Sequence, residues 1–204
     1  ADVATIGLYS VASGLVAIIG REIASSVARG AYPAYSRLGE DPHQLSAIFL
    51  QSLMSALFIC VPPCLGLAAV SYEFIGTIFG SKWLAAAPLL PWLAIAGLLE
   101  AVALLMTGSI LIASGHERLS AYAGWAQVAI RLPIVAVGAV LWGVDGTIRA
   151  LLVASVVWLP LAFLFLRSAM PLTLIEVWRA VRRPLTAGLA MVAGLLLAKD
   201  FLPH

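Results

Sequence analysis

Residues 85–113 read AAAPLLPWLAIAGLLEAVALLMTGSILIA, an apolar run whose one charged residue is Glu100. A helix that crosses a membrane needs about 20 mainly apolar residues, so this run is long enough to span one. The whole 204-residue chain has the same character: 62% of its residues are hydrophobic, 11% are charged and its mean hydropathy is +1.03. This composition excludes a soluble enzyme, a disordered protein and a disulfide-framed secreted module. The sequence predicts a polytopic membrane protein.

The apolar runs and the turn signals between them predict an all-α bundle of about six transmembrane helices. The predicted spans cover about 5–28, 42–69, 85–113, 119–140, 147–165 and 184–199. We divide the chain into a bundle of about five helices over residues 1–166, a linker helix over 167–184 and an additional transmembrane helix within 185–204. The chain does not begin with Met and starts in what reads as the tail of a loop, so we expect a fragment of a longer protein.

Two capping signals mark helix starts. Asp41 precedes Pro42, and Gln44 stands at the third position of the helix, which predicts the start of the second span. Thr173 and Glu176 form a second capping box at the start of the linker helix. That helix is amphipathic, with three arginines on one side and apolar side chains on the other: Arg179, Arg182 and Arg183 against Leu174, Trp178 and Val181. Such a helix is expected to lie in the membrane interface.

The distribution of basic residues predicts the orientation of the spans. Six spans place alternate loops on opposite sides, and cytoplasmic loops carry the excess of Lys and Arg. One side collects seven arginines, namely Arg29, Arg37, Arg118, Arg167, Arg179, Arg182 and Arg183. The other side collects Lys82, Arg149 and Lys199. Loops 29–43, 114–118 and 167–184 are therefore predicted to be cytoplasmic.

Four charged residues lie within the predicted spans and away from the loops at their ends: Arg21, Glu22, Glu100 and Arg131. A charge at mid-bilayer costs at least ~2.5–3.5 kcal/mol on insertion scales, so such residues normally face a bundle interior or a watery cavity. Glu100 and Arg131 lie at similar depth in neighbouring antiparallel spans. They form either a structural ion pair or part of a polar pathway for an anionic or polar substrate. Arg21 and Glu22 are adjacent and point about 100° apart, so at least one is expected to face a cavity or another helix.

The sequence contains no pattern that indicates catalysis or a cofactor. The three histidines do not cluster, and no metalloprotease, serine-hydrolase, nucleotide-binding or calcium-binding motif is present. Cys60 and Cys64 lie in an apolar span without partners for a metal and are interpreted as packing residues. The net charge of +2 is too small and scattered for a nucleic-acid interface. We therefore predict a non-enzymatic membrane protein without cofactor, metal or nucleic acid.

Several short motifs resemble those of a known family. The runs GLYSVA at 7–12, YPAYSRL at 32–38 and EDP at 40–42 resemble the start of the C-terminal lobe in Wzx-like polysaccharide flippases. These are lipopolysaccharide and exopolysaccharide transporters of the multidrug/oligosaccharidyl-lipid/polysaccharide exporter superfamily. Further on, FGSKW at 79–83 with APLL at 87–90, ASGH at 113–116 and GVDGTIRA at 143–150 are similar to later motifs of that lobe, in the same order.

The resemblance implies a transporter of 12 to 14 helices in two lobes, of which this chain would supply part of the second. The implied activity is flipping of a polyprenyl-diphosphate-linked oligosaccharide, by alternating access, from the inner to the outer leaflet of the plasma (inner) membrane. The implied partners are the lipid-linked substrate, membrane lipids and polysaccharide polymerases. Arg21 and Arg131 would be candidates for holding diphosphate or acidic sugars, with Glu22 and Glu100 as counter-charges or ion-coupling groups. Two alternatives remain open: a cation-coupled multidrug antiporter of the same superfamily, and a membrane-embedded glycan-modifying enzyme.

Overall fold

The computed structural model describes residues 14, 22–37 and 41–201, with side chains described as far as residue 198. Every regular element of these residues is helical. The helices are α1 (Ile23–Arg37), α2 (Pro42–Ala69), α3 (Ser71–Ile78), a 3₁₀ helix (Ser81–Leu89), α4 (Leu90–Thr107), α5 (Ser109–Ala113), α6 (Glu117–Ala169) and α7 (Leu174–Phe201). The all-α fold class is confirmed.

Four helical segments of the described residues are long and apolar enough to cross a membrane: Pro42–Ala69, Ser81–Ala113, Glu117–Ala169 and Leu174–Ala198. They contain the predicted spans from the second to the sixth. The predicted first span, 5–28, lies mostly outside the described residues. The chain is therefore a multi-pass membrane protein. Dividing the longest segment gives five spans in the described residues, and the predicted first span stays a prediction.

That longest segment, α6, consists of two helices joined at Gly143. This glycine has φ +64° and ψ −138°, a conformation that side chains rarely allow, and the helix breaks there. We refer to residues 117–142 as α6a and to residues 144–169 as α6b. A Cβ at Gly138 would lie 2.6 Å from both the Cβ of Ala150 and the carbonyl oxygen of Gly146. The two halves therefore meet closely beside the turn, as expected for the predicted fourth and fifth spans.

The capping signals are confirmed. Asp41 Oδ1 accepts hydrogen bonds from the backbone N–H groups of His43 (3.0 Å) and Gln44 (3.2 Å), and Gln44 Nε2 donates to Asp41 Oδ2 (2.8 Å). These hydrogen bonds lower the pKa of Asp41 below its ordinary value, the bond from the Gln44 backbone N–H having the largest effect and the bond from the Gln44 side chain the next largest. At α7, Thr173 N donates to Glu176 Oε2 (2.9 Å) while Glu176 N donates to Thr173 Oγ1 (3.4 Å). These caps satisfy N–H groups that the first helical turn leaves without intrahelical partners.

The structure differs from the sequence interpretation in the segment 71–83, which was expected to be a loop. Ser71–Ile78 is helical, and a 3₁₀ helix follows after Gly80, whose φ is +85°. Ser71 and Ile75 are four residues apart and buried on one face, which gives this short helix a packed side. Its aromatic rings Phe74 and Phe79 also pack together, with centroids 6.5 Å apart.

α7 runs without interruption from Leu174 to Phe201, through the proline at which a linker helix was expected to end. Proline removes one backbone hydrogen bond, which by itself favours a break. Here a buried stripe continues across the site: Val177, Ala180, Pro184 and Gly188. This stripe packs along α2, where a Cβ at Gly188 would lie 2.5 Å from Val61 Cγ1. Packing on α2 therefore keeps the predicted linker helix and the predicted last span within one continuous helix. The division of the chain near residue 184 and the interfacial location of the linker helix stay predictions.

Candidate functional site in the helix bundle

The candidate site is an ion pair between two long apolar helices. Glu100 lies on α4 and Arg131 on α6a, and Arg131 Nη1 donates a hydrogen bond to Glu100 Oε1 at 2.6 Å. The side chains are 24% and 37% exposed, respectively. The helices bring these residues together because α4 packs along α6, and both charges occur near the middle of their spans. The structure thus brings the two side chains together, while their depth in the membrane stays a prediction.

Two small cavities adjoin the ion pair. One has a volume of about 10 Å³ and is lined by Glu100 and Arg131 together with Ala103, Gln127, Ala154, Ser155 and Trp158. The other has a volume of about 40 Å³ and is lined by Glu100, Ala101, Leu104 and Gln127. Polar groups of α6a and α6b therefore adjoin the pair, whereas the remaining α4 residues that line the two cavities are apolar.

Trp158 is the most unusual of these neighbours. Its side chain is nearly completely buried, with the residue 3% exposed. Its indole Nε1–H has no hydrogen-bond partner among the described protein atoms. The Ser155 hydroxyl, in contrast, donates to the carbonyl oxygen of Leu151 at 2.9 Å. A buried donor without a partner costs about 1–3 kcal/mol, so this N–H requires an explanation.

Of the other two predicted site residues, only Glu22 is described, and it does not join this pair. Arg21 lies outside the described residues. Glu22 is exposed where the described part of the first helix begins, and its backbone carbonyl accepts a hydrogen bond from Ser25 Oγ at 3.0 Å. Within the described ranges, the structure therefore assembles Glu100 and Arg131 but brings no other predicted site residue to them.

Sequence reasoning missed three residues beside the pair, namely Gln127, Ser155 and Trp158. Gln127 stands four residues before Arg131, which places both on one face of α6a. That spacing could have identified it. Ser155 and Trp158 are three residues apart on α6b, and only the turn at Gly143 brings their face to α4. No local pattern predicts this, because it depends on how α6 folds back.

The cysteines agree with their interpretation as packing residues. Cys60 and Cys64 are both buried in the middle of α2. Over the ranges 22–37 and 41–201, no group of three or more His, Cys, Asp and Glu residues is placed to hold a metal ion. The chemistry of the site therefore consists of one cation, one carboxylate and neutral donors. The cation and the carboxylate can neutralise each other, or one of them can exchange the other for a charged group of a ligand.

Residues 1–88 match the family model described as polysaccharide biosynthesis protein. The teichuronic acid biosynthesis protein TuaB of Bacillus subtilis is 35% identical over 117 residues. The lipopolysaccharide biosynthesis protein WzxC of Escherichia coli is 26% identical over 151 residues, or 74% of this chain. The resemblance to Wzx-like polysaccharide proteins is confirmed. An uncharacterized membrane protein in the cps region of Klebsiella pneumoniae is 27% identical over 161 residues, or 79% of the chain.

The matched part of each relative is limited. The alignment with TuaB covers 57% of this chain and 24% of TuaB. The other two alignments cover 30% of WzxC and 33% of the Klebsiella protein. The chain thus spans about a quarter to a third of these relatives. No solved structure matches the chain. The relatives are named for polysaccharide biosynthesis or as membrane proteins. Both described site residues, Glu100 and Arg131, lie beyond residues 1–88 that match the family model.

Proposed function

We propose that this chain is part of a transporter that flips a polyprenyl-diphosphate-linked oligosaccharide from the inner to the outer leaflet of the plasma (inner) membrane. The observation that carries the proposal is the Glu100–Arg131 pair, a cation and a carboxylate 2.6 Å apart between two apolar helices. Relatives named for teichuronic acid and lipopolysaccharide biosynthesis support a saccharide as the cargo. A diphosphate-linked saccharide is anionic and hydrophilic, so its headgroup needs charged and polar partners inside the bilayer.

Arg131 is the residue through which the pair acts. Its guanidinium presents several N–H donors in a fixed fork, which suits phosphate and carboxylate oxygens. While the substrate is absent, Glu100 neutralises this cation. When a diphosphate or acidic sugar enters, Arg131 exchanges its carboxylate partner for the substrate anion. The two lobes of the whole transporter would then alternate access to the site around the bound headgroup.

The experiment is the substitution Arg131→Ala in the full-length protein. We expect surface polysaccharide to be lost while the amount of protein in the membrane is retained. Arg118→Ala provides the matched control, because Arg118 is an exposed arginine near the start of α6a and does not line the cavities beside the ion pair. Normal polymer export by the Arg131→Ala protein would contradict the role of the pair, as would an equal loss in the Arg118→Ala protein.

The orientation is a second part of the proposal. Ser46 Oγ lies 3.2 Å from the carbonyl oxygen of Pro171, which supports the assignment of segments 29–43 and 167–184 to one end of the bundle. We propose that this end is cytoplasmic, as the arginine distribution indicates. A cysteine at Lys82 in an otherwise cysteine-free full-length protein is expected to react with an impermeant thiol reagent from outside. A cysteine at Arg182 is expected to react only after the membrane is opened, and the reverse pattern would overturn the orientation.

A further inference from the structure

A groove opens on the surface of α6 where its two halves meet beside the turn at Gly143. Its volume of about 490 Å³ lies within the range of about 300–1,000 Å³ that is usual for small-molecule sites. Gly138 and Gly146 bring the backbones of α6a and α6b into close contact, which leaves the groove between the side chains that flank this contact. Arg149 is the one charged residue of the lining, and the others are apolar or aromatic, among them Val137, Trp142 and Val153.

The depth of the groove corresponds to one leaflet of a bilayer. Ten residues separate Gly143 from Pro133 on α6a and from Val153 on α6b, the most distant residues of the lining. At 1.5 Å per residue this distance is about 15 Å, which is half of the ~30 Å hydrocarbon core of a membrane. Val137, Trp142 and Val153 are all exposed, so the groove is open along its length. An acyl chain from the leaflet on the side of the turn therefore matches the groove in polarity and in length.

Two opposite charges lie between the groove and the turn. Asp145 and Arg149 are exposed and stand four residues apart, so they share one side of α6b. In the part of the chain that the structure describes, no ion pair joins Arg149 to Asp145 or to another residue. The Cα atom of Arg149 lies about 6 Å further from the turn than that of Asp145. Because helical side chains lean towards the N-terminus of their helix, which for α6b is the turn, the guanidinium extends towards the membrane surface.

We propose that the groove binds one zwitterionic phospholipid of the leaflet on the side of the Gly143 turn, with an acyl chain in the groove, its phosphate at Arg149 and its ammonium at Asp145. The order of the two charges selects this headgroup. In phosphatidylethanolamine the phosphate lies next to the glycerol and the ammonium lies further towards the water, which is the order of Arg149 and Asp145 along α6b. A guanidinium suits phosphate oxygens, and a carboxylate accepts hydrogen bonds from an ammonium group.

The same charges disfavour an anionic lipid. Phosphatidylglycerol offers Asp145 no cation, and it brings the negative charge of its phosphate near that carboxylate without compensation. A segment of protein that covers the groove is the other occupant to be tested, because such a segment would exclude lipid from Val137 and Val153.

Photo-crosslinking in nanodiscs tests the site directly. A diazirine analogue of leucine replaces Val137 in the full-length protein, which is reconstituted with equal amounts of phosphatidylethanolamine and phosphatidylglycerol and without lipid-linked oligosaccharide. Val140 provides the matched control position, because it is an exposed valine one turn away on α6a and does not line the groove. We expect adducts at position 137 to contain phosphatidylethanolamine in several-fold excess, and adducts at position 140 to match the supplied mixture. Equal compositions at the two positions, or adducts at position 137 with protein segments alone, would overturn the proposal.

A pair of double variants tests how the headgroup is recognised. Asp145→Arg/Arg149→Asp keeps both charges and reverses their order along α6b, whereas Asp145→Glu/Arg149→Lys keeps the order. With the diazirine at position 137, we expect the reversed variant to lose the excess of phosphatidylethanolamine and the conservative variant to keep it. An undiminished excess in the reversed variant would overturn the assignment of phosphate to Arg149 and ammonium to Asp145. The Arg131→Ala experiment tests the flippase proposal separately.

Discussion

Two helix interfaces of this bundle solve the same packing problem with different chemistry. Between α2 and α7 the contact is apolar and depends on shape, because Gly188 allows Val61 and Leu65 to approach the α7 backbone. Between α4 and α6 the contact includes the Glu100–Arg131 ion pair and its polar neighbours. Small residues that allow close approach are the ordinary means of joining helices in lipid, where apolar side chains gain little by leaving the bilayer.

The difference indicates which interface is specialised. A charged pair is not needed to hold two membrane helices together, as the α2–α7 contact demonstrates within the same chain. Retaining two charges between α4 and α6 exposes the protein to the cost of a misplaced or unpaired charge. This comparison supports assigning function to the α4–α6 interface and a structural role to the α2–α7 interface.

The largest effect is expected from breaking the charged interface on one side only. Glu100→Ala leaves an arginine that cannot lose its charge, so we expect the full-length protein to lose up to about 3 kcal/mol of unfolding free energy. The measurement is unfolding of Glu100→Ala and of wild type in lipid or mild detergent, and an unchanged free energy of unfolding would contradict a direct pairing of the two charges.

A smaller effect is expected at the apolar interface. Gly188→Leu would place a side chain against Val61 and Leu65 and should cost about 1–3 kcal/mol through overpacking. Gly194→Leu is the matched control, because it lies on the same helix and a Cβ there meets nothing within 4 Å. Both substitutions gain equally in helix propensity, so the difference between their unfolding free energies reports packing alone. A difference near zero would show that α7 does not depend on this contact.

The smallest effect concerns the cap of α2. Hydrogen bonds from the Gln44 N–H and side chain lower the pKa of Asp41 in the folded protein. The stability that the Asp41 carboxylate contributes is therefore complete above its unfolded-state pKa, and it is lost as the pH falls through the lower folded-state pKa. Asp41→Asn keeps a capping oxygen but removes the titrating charge. We expect the wild-type melting temperature to fall slightly more than that of Asp41→Asn as the pH drops below about 4. Parallel pH profiles would contradict this.

Many features of this fold are determined by the local sequence and could be predicted from it. The caps at Asp41 and Thr173 depend on residues within three positions, and the structure confirms both. The spans follow from continuous hydropathy, and the ion pair follows from two charges at equal depth in adjacent spans. In each case the physical cause lies in neighbouring residues or in the thickness of the membrane.

The remaining features depend on tertiary packing. Pro184 reads locally as a helix break, yet contact with α2 carries α7 through it. The segment around Ile75 reads as a loop, yet its buried face makes it helical. Trp158 stands in an apolar span with no local signal of a site, and only the fold-back of α6 at Gly143 brings it beside Glu100. These positions could not be inferred without knowing which helices meet.

The account is tested most directly by the neutral double substitution Glu100→Ala/Arg131→Ala in reconstituted full-length protein. The measurement is the flipping rate of a labelled polyprenyl-diphosphate-linked oligosaccharide, together with the unfolding free energy of the same sample. Because no unpaired charge remains, we expect stability close to that of wild type, and we expect flipping to stay abolished. Flipping at the wild-type rate by the stable double variant would show that the pair only holds α4 to α6, and would contradict its assignment as the substrate site.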